Sequence, residues 1–314
     1  MQYRQLGSTG AQVSELILGA WQFGKANWTD VDDDESIKTM HAAIDAGINM
    51  IDTAVAYGDG YSEEIVGKAL KGHHDQCMVA SKVDGNPDAI REMIDKALGR
   101  LQVDVIDLYQ IHYPLPKYPV GEAVAAMEEL RRAGKIRFIG VSNFSLQQMQ
   151  EGLQAGKIDT CQPPYNILWR QYENDVIPFC AQNGIAVIPY SSLAQGLLTG
   201  KFRTREDIPH DIRSNNKLFA EGAFERSVGV VNLMDEIADR HDKTPAQVAI
   251  AWTLQAPGIT APIVGARNRK QLIGNLDAVG LRLSQEEWEQ LSEAGLEVSE
   301  KLDFATNMWS WAPA

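Results

Sequence analysis

Short apolar runs recur along the chain, each ending in polar residues and each followed by a stretch whose apolar positions fall three and four apart. The runs lie at 16–20, 49–54, 77–82, 104–111, 136–141, 159–163, 185–190 and 261–264. They are continuous rather than alternating, so they read as strands covered on both faces. Helical periodicity occupies 34–46, 62–71, 87–101, 120–133, 145–155 and 172–183, then 225–241, 244–256, 267–277 and 284–294. Thr244 followed by Pro245 is a strong helix start. Residues 2–15 alternate polar and apolar around Gly7-Ser8-Thr9-Gly10, which predicts a β-hairpin plugging one end of the fold. Repeated βα units with buried parallel strands predict the α/β class: a single (β/α)8 TIM barrel over residues 1–314, with 298–314 as a C-terminal tail.

Rival folds lack their motifs. A doubly wound dinucleotide domain needs G-x-G-x-x-G, and from Gly58 and Gly60 the third place is Glu63. From Gly196 through Gly200 and Lys201 a phosphate loop is one residue short and lacks the Ser/Thr that would hold magnesium. Asp30, Asp32, Asp33 and Asp34 imitate a calcium loop, but Glu35 stands in the glycine position and His41 in that of the bidentate acid. An acidic turn favouring a helix N-terminus is the better reading. Residues 193–224 carry scattered bases and no clean period, as a functional covering loop would. The tail, with Trp309 and Trp311, reads equally as a frayed end or as an aromatic wall folded over a pocket.

Composition narrows the partners. With 314 residues and 44% apolar content the chain can bury a large core, as one domain or as two. The formal charge of −13 opposes a nucleic-acid track but leaves room for local binding of small anions. Cys77, Cys161 and Cys180 are far apart and show no metal spacing, which fits a reducing compartment and predicts no metal site. The start lacks a charged-then-apolar signal, and no run approaches bilayer length, so the expectation is a soluble cytoplasmic protein without a membrane partner.

Three runs end in chemistry. Residues 49–54 lead to Asp52 and Tyr57, 77–82 end at Lys82, and 104–111 are followed by His112. In a parallel barrel these ends face the active site. A tyrosine that protonates a carbonyl oxygen near neutral pH needs a cation to stabilise its phenolate, since its ordinary pKa is about 10. Lys82 can be that cation, Asp52 can keep the lysine charged, and His112 can donate to the substrate oxygen or relay protons. Each alone has a structural reading as core ring, helix cap or ion-pair partner. Recurrence at one edge of consecutive strands favours a shared site.

With these residues on the page, the sequence resembles the aldo-keto reductase superfamily from about residue 3 to 295. The likeness is carried by Gly19-Ala20-Trp21, Asp52-Thr53-Ala54 with Tyr57-Gly58 and Ser62-Glu63, Ser81-Lys82, Leu108 with Ile111-His112, and Gly134 through Gly140 to Ser142-Asn143. Gln162 with Tyr165-Asn166, Tyr190-Ser191 with Leu193 and Gly196, and Pro262 with Gly265 and Arg267 extend it. The resemblance implies a catalytic tetrad of Asp52, Tyr57, Lys82 and His112, and NADP(H), with NAD(H) as an alternative, across the barrel mouth. Ser142, Asn143 and Gln162 would hold the carboxamide, Tyr190 would stack on the nicotinamide, and Ala20, Trp21 and Asp52 would also meet the cofactor.

The same resemblance puts Ser191, Ser192, Leu193, Ala194 and Gln195, with Lys201 and Arg213, along the pyrophosphate. Gly265, Arg267, Gln271 and Asn275 would bind the adenosine end, with Arg267 on a 2′-phosphate. Many relatives carry lysine at Gly265, arginine at Gln271 and an acid at Gly274, so this chain follows a glycine-then-arginine variant. Read alone, Asn143 could cap the following helix, Gln162 could pair with backbone, Arg267 could be a solvated base, and Ser192 and Arg213 are the least constrained. Trp21, Tyr57, His112 and Tyr113, with Trp28 and Trp309, would shape the pocket for a small carbonyl or alcohol substrate. The implied activity is reversible NADPH-dependent reduction of an aldehyde or ketone. A redox-sensing regulatory subunit, as in channel β-subunits, and a loop-phosphate enzyme without hydride chemistry are the alternatives.

Overall fold

The computed structural model describes residues 1–26, 28, 31–302 and 307–310. Two short antiparallel strands, β1 (Tyr3–Gln5) and β2 (Gln12–Ser14), form the expected hairpin. Eight parallel strands follow: β3 (Ile17–Gly19), β4 (Met50–Asp52), β5 (Met78–Val83), β6 (Ile106–Ile111), β7 (Ile136–Ser142), β8 (Thr160–Gln162), β9 (Ala186–Val187) and β10 (Ile263–Gly265). They pair in chain order, with β10 beside β3. The ring closes through the Val187–Ile259 bridge and the 2.8 Å bond from Ile263 N to Pro189 O. The predicted barrel is therefore the fold.

Hydrophobic burial acts in two shells. Inside the ring, Ile17, Met50, Ala80, Leu108, Phe138, Ala186 and Ile263 pack together with Leu6 and Val13 of the hairpin. The hairpin thus plugs the end opposite the strand C-termini. Outside, the strands bury their other face against α1 (Asp33–Asp45), α2 (Tyr61–Leu70), α3 (Pro87–Leu101), α4 (Val120–Arg132), α5 (Leu146–Ala155), α6 (Val176–Gln182), α7 (Ala223–Arg240), α8 (Pro245–Gln255), α9 (Arg269–Leu276) and α10 (Gln285–Ser299).

Local sequence explains most helix starts. Asn86 caps α3 ahead of Pro87, and Thr244 with Gln247 makes a capping box ahead of α8. Asp32 caps α1 by accepting from Glu35 N at 2.9 Å, so the acidic run is a helix start; Asp30 lies outside the described residues. Ser62 departs from expectation. The helix begins one residue earlier behind Gly60, and the Ser62 hydroxyl instead donates to Ala20 O and accepts from Thr53, each at 2.8 Å. Helix α6 is shorter than the predicted 172–183 because Asp175 caps it late, and α10 runs five residues beyond the predicted 294, to Ser299.

The open question about the tail has an answer for its described residues. Residues 307–310 dock on the loop at 215–217 through Lys217 N to Met308 O at 3.0 Å and Ser310 N to Asn215 O at 2.8 Å. Trp309 is buried there, while Trp311 lies outside the described residues. No described helix is long and apolar enough to cross a membrane, and no described group of three His, Cys, Asp or Glu is placed to hold a metal ion.

Candidate active site

At the C-terminal ends of the strands a cleft of about 860 Å³ crosses the barrel mouth. Register explains its floor. Asp52 ends β4, and Lys82 lies two residues beyond its β5 partner Ala80. Lys82 in turn pairs with Gln110 of β6, two residues before His112. The three strand ends deliver their polar side chains to one place.

Lys82 is fully buried and donates from Nζ to Asp52 Oδ1 at 2.5 Å, Thr53 O at 2.9 Å and Tyr57 Oη at 3.2 Å. Burial works against its charge, but the Asp52 carboxylate and the Tyr57 oxygen outweigh it and hold the ammonium above the ordinary lysine value. Burial also dominates at Tyr57. It raises the phenol above its ordinary value, with Lys82 pulling it down and Asp52 pushing it up. The ammonium does pull the phenol in the acidic direction, but burial, helped by the Asp52 charge, outweighs it. His112 is held well below the ordinary histidine value by burial and by the Lys82 charge, so it is a neutral imidazole near pH 7. Its ring meets Tyr57 edge-on at 5.9 Å.

Tyr57 is placed by glycines. A Cβ on Gly24 would sit 2.5 Å from Tyr57 O, and one on Gly58, at φ 71°, would sit 2.1 Å from Gly24 O. Only bare backbone lets the two loops touch. Asp52 has further partners that the sequence did not reveal: its Oδ2 accepts from Gln110 Nε2 at 3.1 Å and Gln162 Nε2 at 2.9 Å. Gln162 also donates to Gln110 Oε1 at 3.2 Å, so both amide hydrogens are used and Oε1 is left for the cleft it lines.

Around this floor the predicted cofactor residues divide. Ala20, Trp21, Asp52, Ser142, Gln162, Tyr190, Ser191, Ser192, Leu193, Gln195, Lys201, Arg213, Gly265, Arg267, Gln271 and Asn275 all line the cleft. Asn143 and Ala194 do not. Asn143 sits at φ 61° and spends its amide on His112 O and Ser142 Oγ, both at 3.0 Å, while accepting from Tyr190 Oη at 2.8 Å. It does not cap α5, a task that Ser145 performs. Ala194 is buried in the turn behind Ser191. Ser192 is buried as well, and Arg213 is tied to Asp211 by contacts at 2.9 and 3.1 Å from Nε.

Trp21, Tyr57, His112, Tyr113, Trp28 and Trp309 all line the cleft, with Trp21 edge-on to Trp28 at 5.2 Å and to Trp309 at 5.8 Å. Asp84 and Gln22 line it too and were missed by sequence reasoning. Gln22 donates to Gly19 O and Ala266 O, each at 2.9 Å, and a Cβ on Gly265 would lie 3.0 Å from its Oε1. At the far end Lys201, Arg213 and Arg267 converge. Burial first, then repulsion from the two arginines, lowers Lys201 to about 8. Like charges gathered in a cleft make a site for an anion, and phosphates suit it. Gln271 accepts from Arg267 N at 2.9 Å and Asn275 donates to Gly265 O at 3.1 Å, fixing the entry to α9.

Comparison with known proteins agrees with this geometry. The family model described as Aldo/keto reductase family matches residues 15–295. The chain is 39% identical over 307 residues to the aldo-keto reductase YhdN of Bacillus subtilis, covering 93% of each. It is 35% identical to the NADH-specific methylglyoxal reductase of Escherichia coli, covering 89% of this chain and 94% of that one. Among solved structures it is similar to a glycerol dehydrogenase from Gluconobacter oxydans, with TM-score 0.85, 35% identity, and 93% and 94% of the two chains covered. An aldo/keto reductase from Klebsiella pneumoniae, solved with NADP and acetate, gives TM-score 0.75 at 30% identity over 93% and 95%. A family match over residues 15–295 and four polar side chains gathered at the barrel mouth lead to one conclusion: the chain is an oxidoreductase of the aldo/keto reductase family.

Proposed function

We propose that this enzyme reduces an aldehyde or ketone with NADPH, Tyr57 delivering the proton. The observation that carries the reading is the 3.2 Å contact between Tyr57 Oη and a buried ammonium that is itself paired with Asp52. A phenol kept protonated by burial is a proton donor, and a cation beside it stabilises the phenolate once the proton has left. His112, neutral, can donate a hydrogen bond to the substrate oxygen without carrying a competing charge. Tyr57 then passes its proton to that oxygen as negative charge develops on it, and in the reverse direction takes it back.

The nucleotide, when bound, supplies the hydride. The groups present suit it: Gln162 Oε1 is an acceptor for the carboxamide NH2 beside Ser142, Tyr190 is tethered for stacking, and Lys201, Arg213 and Arg267 form a cationic end for phosphates. Asn143 then acts by holding Tyr190 and His112 in place. Arg267 makes no ion pair among the described residues, which leaves its guanidinium for a 2′-phosphate and favours NADPH over NADH. Three buried cysteines, none in a disulfide although Cys161 and Cys180 are in contact, support a reducing compartment such as the cytoplasm.

The test follows NADPH absorbance over an aldehyde panel under multiple turnover. Sustained turnover is the expected result. One slow turnover alone would replace the reading with a redox-sensing subunit, and failure of either nicotinamide nucleotide to quench tryptophan fluorescence would remove both.

A further inference from the structure

The cleft is electrically two-ended. Every base that lines it, Lys201, Arg213 and Arg267, comes from the segments after β9 and β10. Arg213 reaches the Trp28 ring at 5.2 Å, yet its charge is claimed by Asp211. Across the ring, beyond the ends of β5 and β6, the lining is Asp84, His112, Tyr113 and Leu115; it includes no lysine or arginine, and His112 is neutral.

Asp84 directly follows β5, two residues after Lys82. Its loop is pinned to the loop after β6 by the 3.0 Å bond from Gly85 N to Tyr113 O. Its charge is close enough to Tyr113 to help raise that phenol. Among the described residues its carboxylate accepts no hydrogen bond and faces no cation; the side chain is exposed at the cleft mouth, and partial desolvation there raises it above the ordinary aspartate value. An acid in a cleft wall without a protein partner has its hydrogen-bonding capacity left for whatever enters.

We propose that Asp84 is a specificity residue for the substrate end of the cleft, accepting a hydroxyl from neutral, hydroxyl-bearing carbonyl compounds and rejecting those that carry a carboxylate. The assignment rests on the carbonyl-reductase reading and adds the substrate class to it. A hydroxyl donating to an ionised carboxylate makes a charge-assisted hydrogen bond, stronger than a neutral one. A substrate carboxylate brought to the same wall meets a like charge with no lysine or arginine in that lining to relieve it, and such repulsion is how sites discriminate against the wrong partner. The aromatic walls of Trp21, Trp309 and Tyr113 are blind to this difference, so the charge decides.

The test uses two benzaldehydes of matched size, para-hydroxymethylbenzaldehyde and para-carboxybenzaldehyde, with NADPH. The expected ratio of kcat/KM favours the hydroxymethyl compound by roughly ten-fold or more in the native enzyme. Asp84→Asn, which keeps the shape and removes the charge, should collapse that ratio chiefly by raising kcat/KM for the carboxylate. Asp84→Glu should preserve it. Sustained turnover of both probes with a ratio near one, or a ratio that Asp84→Asn leaves intact, overturns the assignment while sparing the reductase reading. No turnover of either probe by the native enzyme overturns both.

Discussion

The two ends of the cleft are built on opposite plans. At the tetrad every polar atom of Asp52 and the Lys82 ammonium has a partner supplied by a strand or by the turn just after one. At the anion end three cations crowd one another on irregular segments and after β10, and their mutual repulsion is relieved only in part by Asp211. On the proposed reading, the chemistry is thus preorganised by the sheet, where a small displacement would be costly. The nucleotide is awaited by loops that gain when an anion arrives.

That contrast can be tested, beginning where the effect is largest. Tyr57→Phe removes one hydroxyl from the preorganised end, and turnover should fall by about a thousandfold or more while NADPH affinity by fluorescence titration stays close to native. Near-native turnover would show that the floor is not where the proton is moved. At the other end, Arg267→Ala should weaken NADPH far more than NADH, narrowing the preference between them by about a hundredfold if a 2′-phosphate pairs with it. Equal loss for both nucleotides would move Arg267 out of that role.

Gln110→Leu sharpens the comparison, because among the described residues the Gln110 side chain hydrogen-bonds only to Asp52 and Gln162. With one donor gone from Asp52 Oδ2 and the Gln162 amide free to flip, kcat should fall about tenfold and the pH profile should shift, though the fold persists. A fall in thermal stability with an unchanged pH profile would make Gln110 a packing residue. The smallest effect concerns Lys201. Its ammonium is lost above about pH 8 in the free protein, so NADPH affinity should fall several-fold from pH 7 to pH 9, in the direction of losing the charge that attracts phosphate. Lys201→Gln should flatten that dependence, and an affinity that rises with pH would contradict the repulsion described at this end.

The sequence made the strands legible because burial on both faces leaves an unbroken apolar run, and the polar residue that ends each run marks the mouth. The tetrad could be found for that reason. Gln110 could not: its partners are 58 and 52 positions away, and a glutamine inside an apolar run has no local signature. Asp84 was hidden by its setting, an acid in a turn before a helix, where solvated acids are ordinary. Asn143 was placed in the right neighbourhood, but its bonds to His112 O and Tyr190 Oη come from positions 31 and 47 away and leave no local pattern. The region 193–224 gave no period because it is built of short 3-10 turns fixed by long-range contacts, such as Asn216 Nδ2 to Gln195 Oε1 at 2.6 Å.

That last contact makes the docked tail an informant. Gln195 donates to Ser191, Asn216 donates to Gln195, and Asn216 forms a bridge with Trp309, so a chain of contacts runs from the cleft wall at Ser191 to Ser310 at the surface. Met1, by contrast, rests against Gly47 on the plugged face. A fluorophore attached through Ser310→Cys would therefore register occupancy of the cleft, with all three native thiols shielded from labelling, whereas the same dye at the first residue would stay silent.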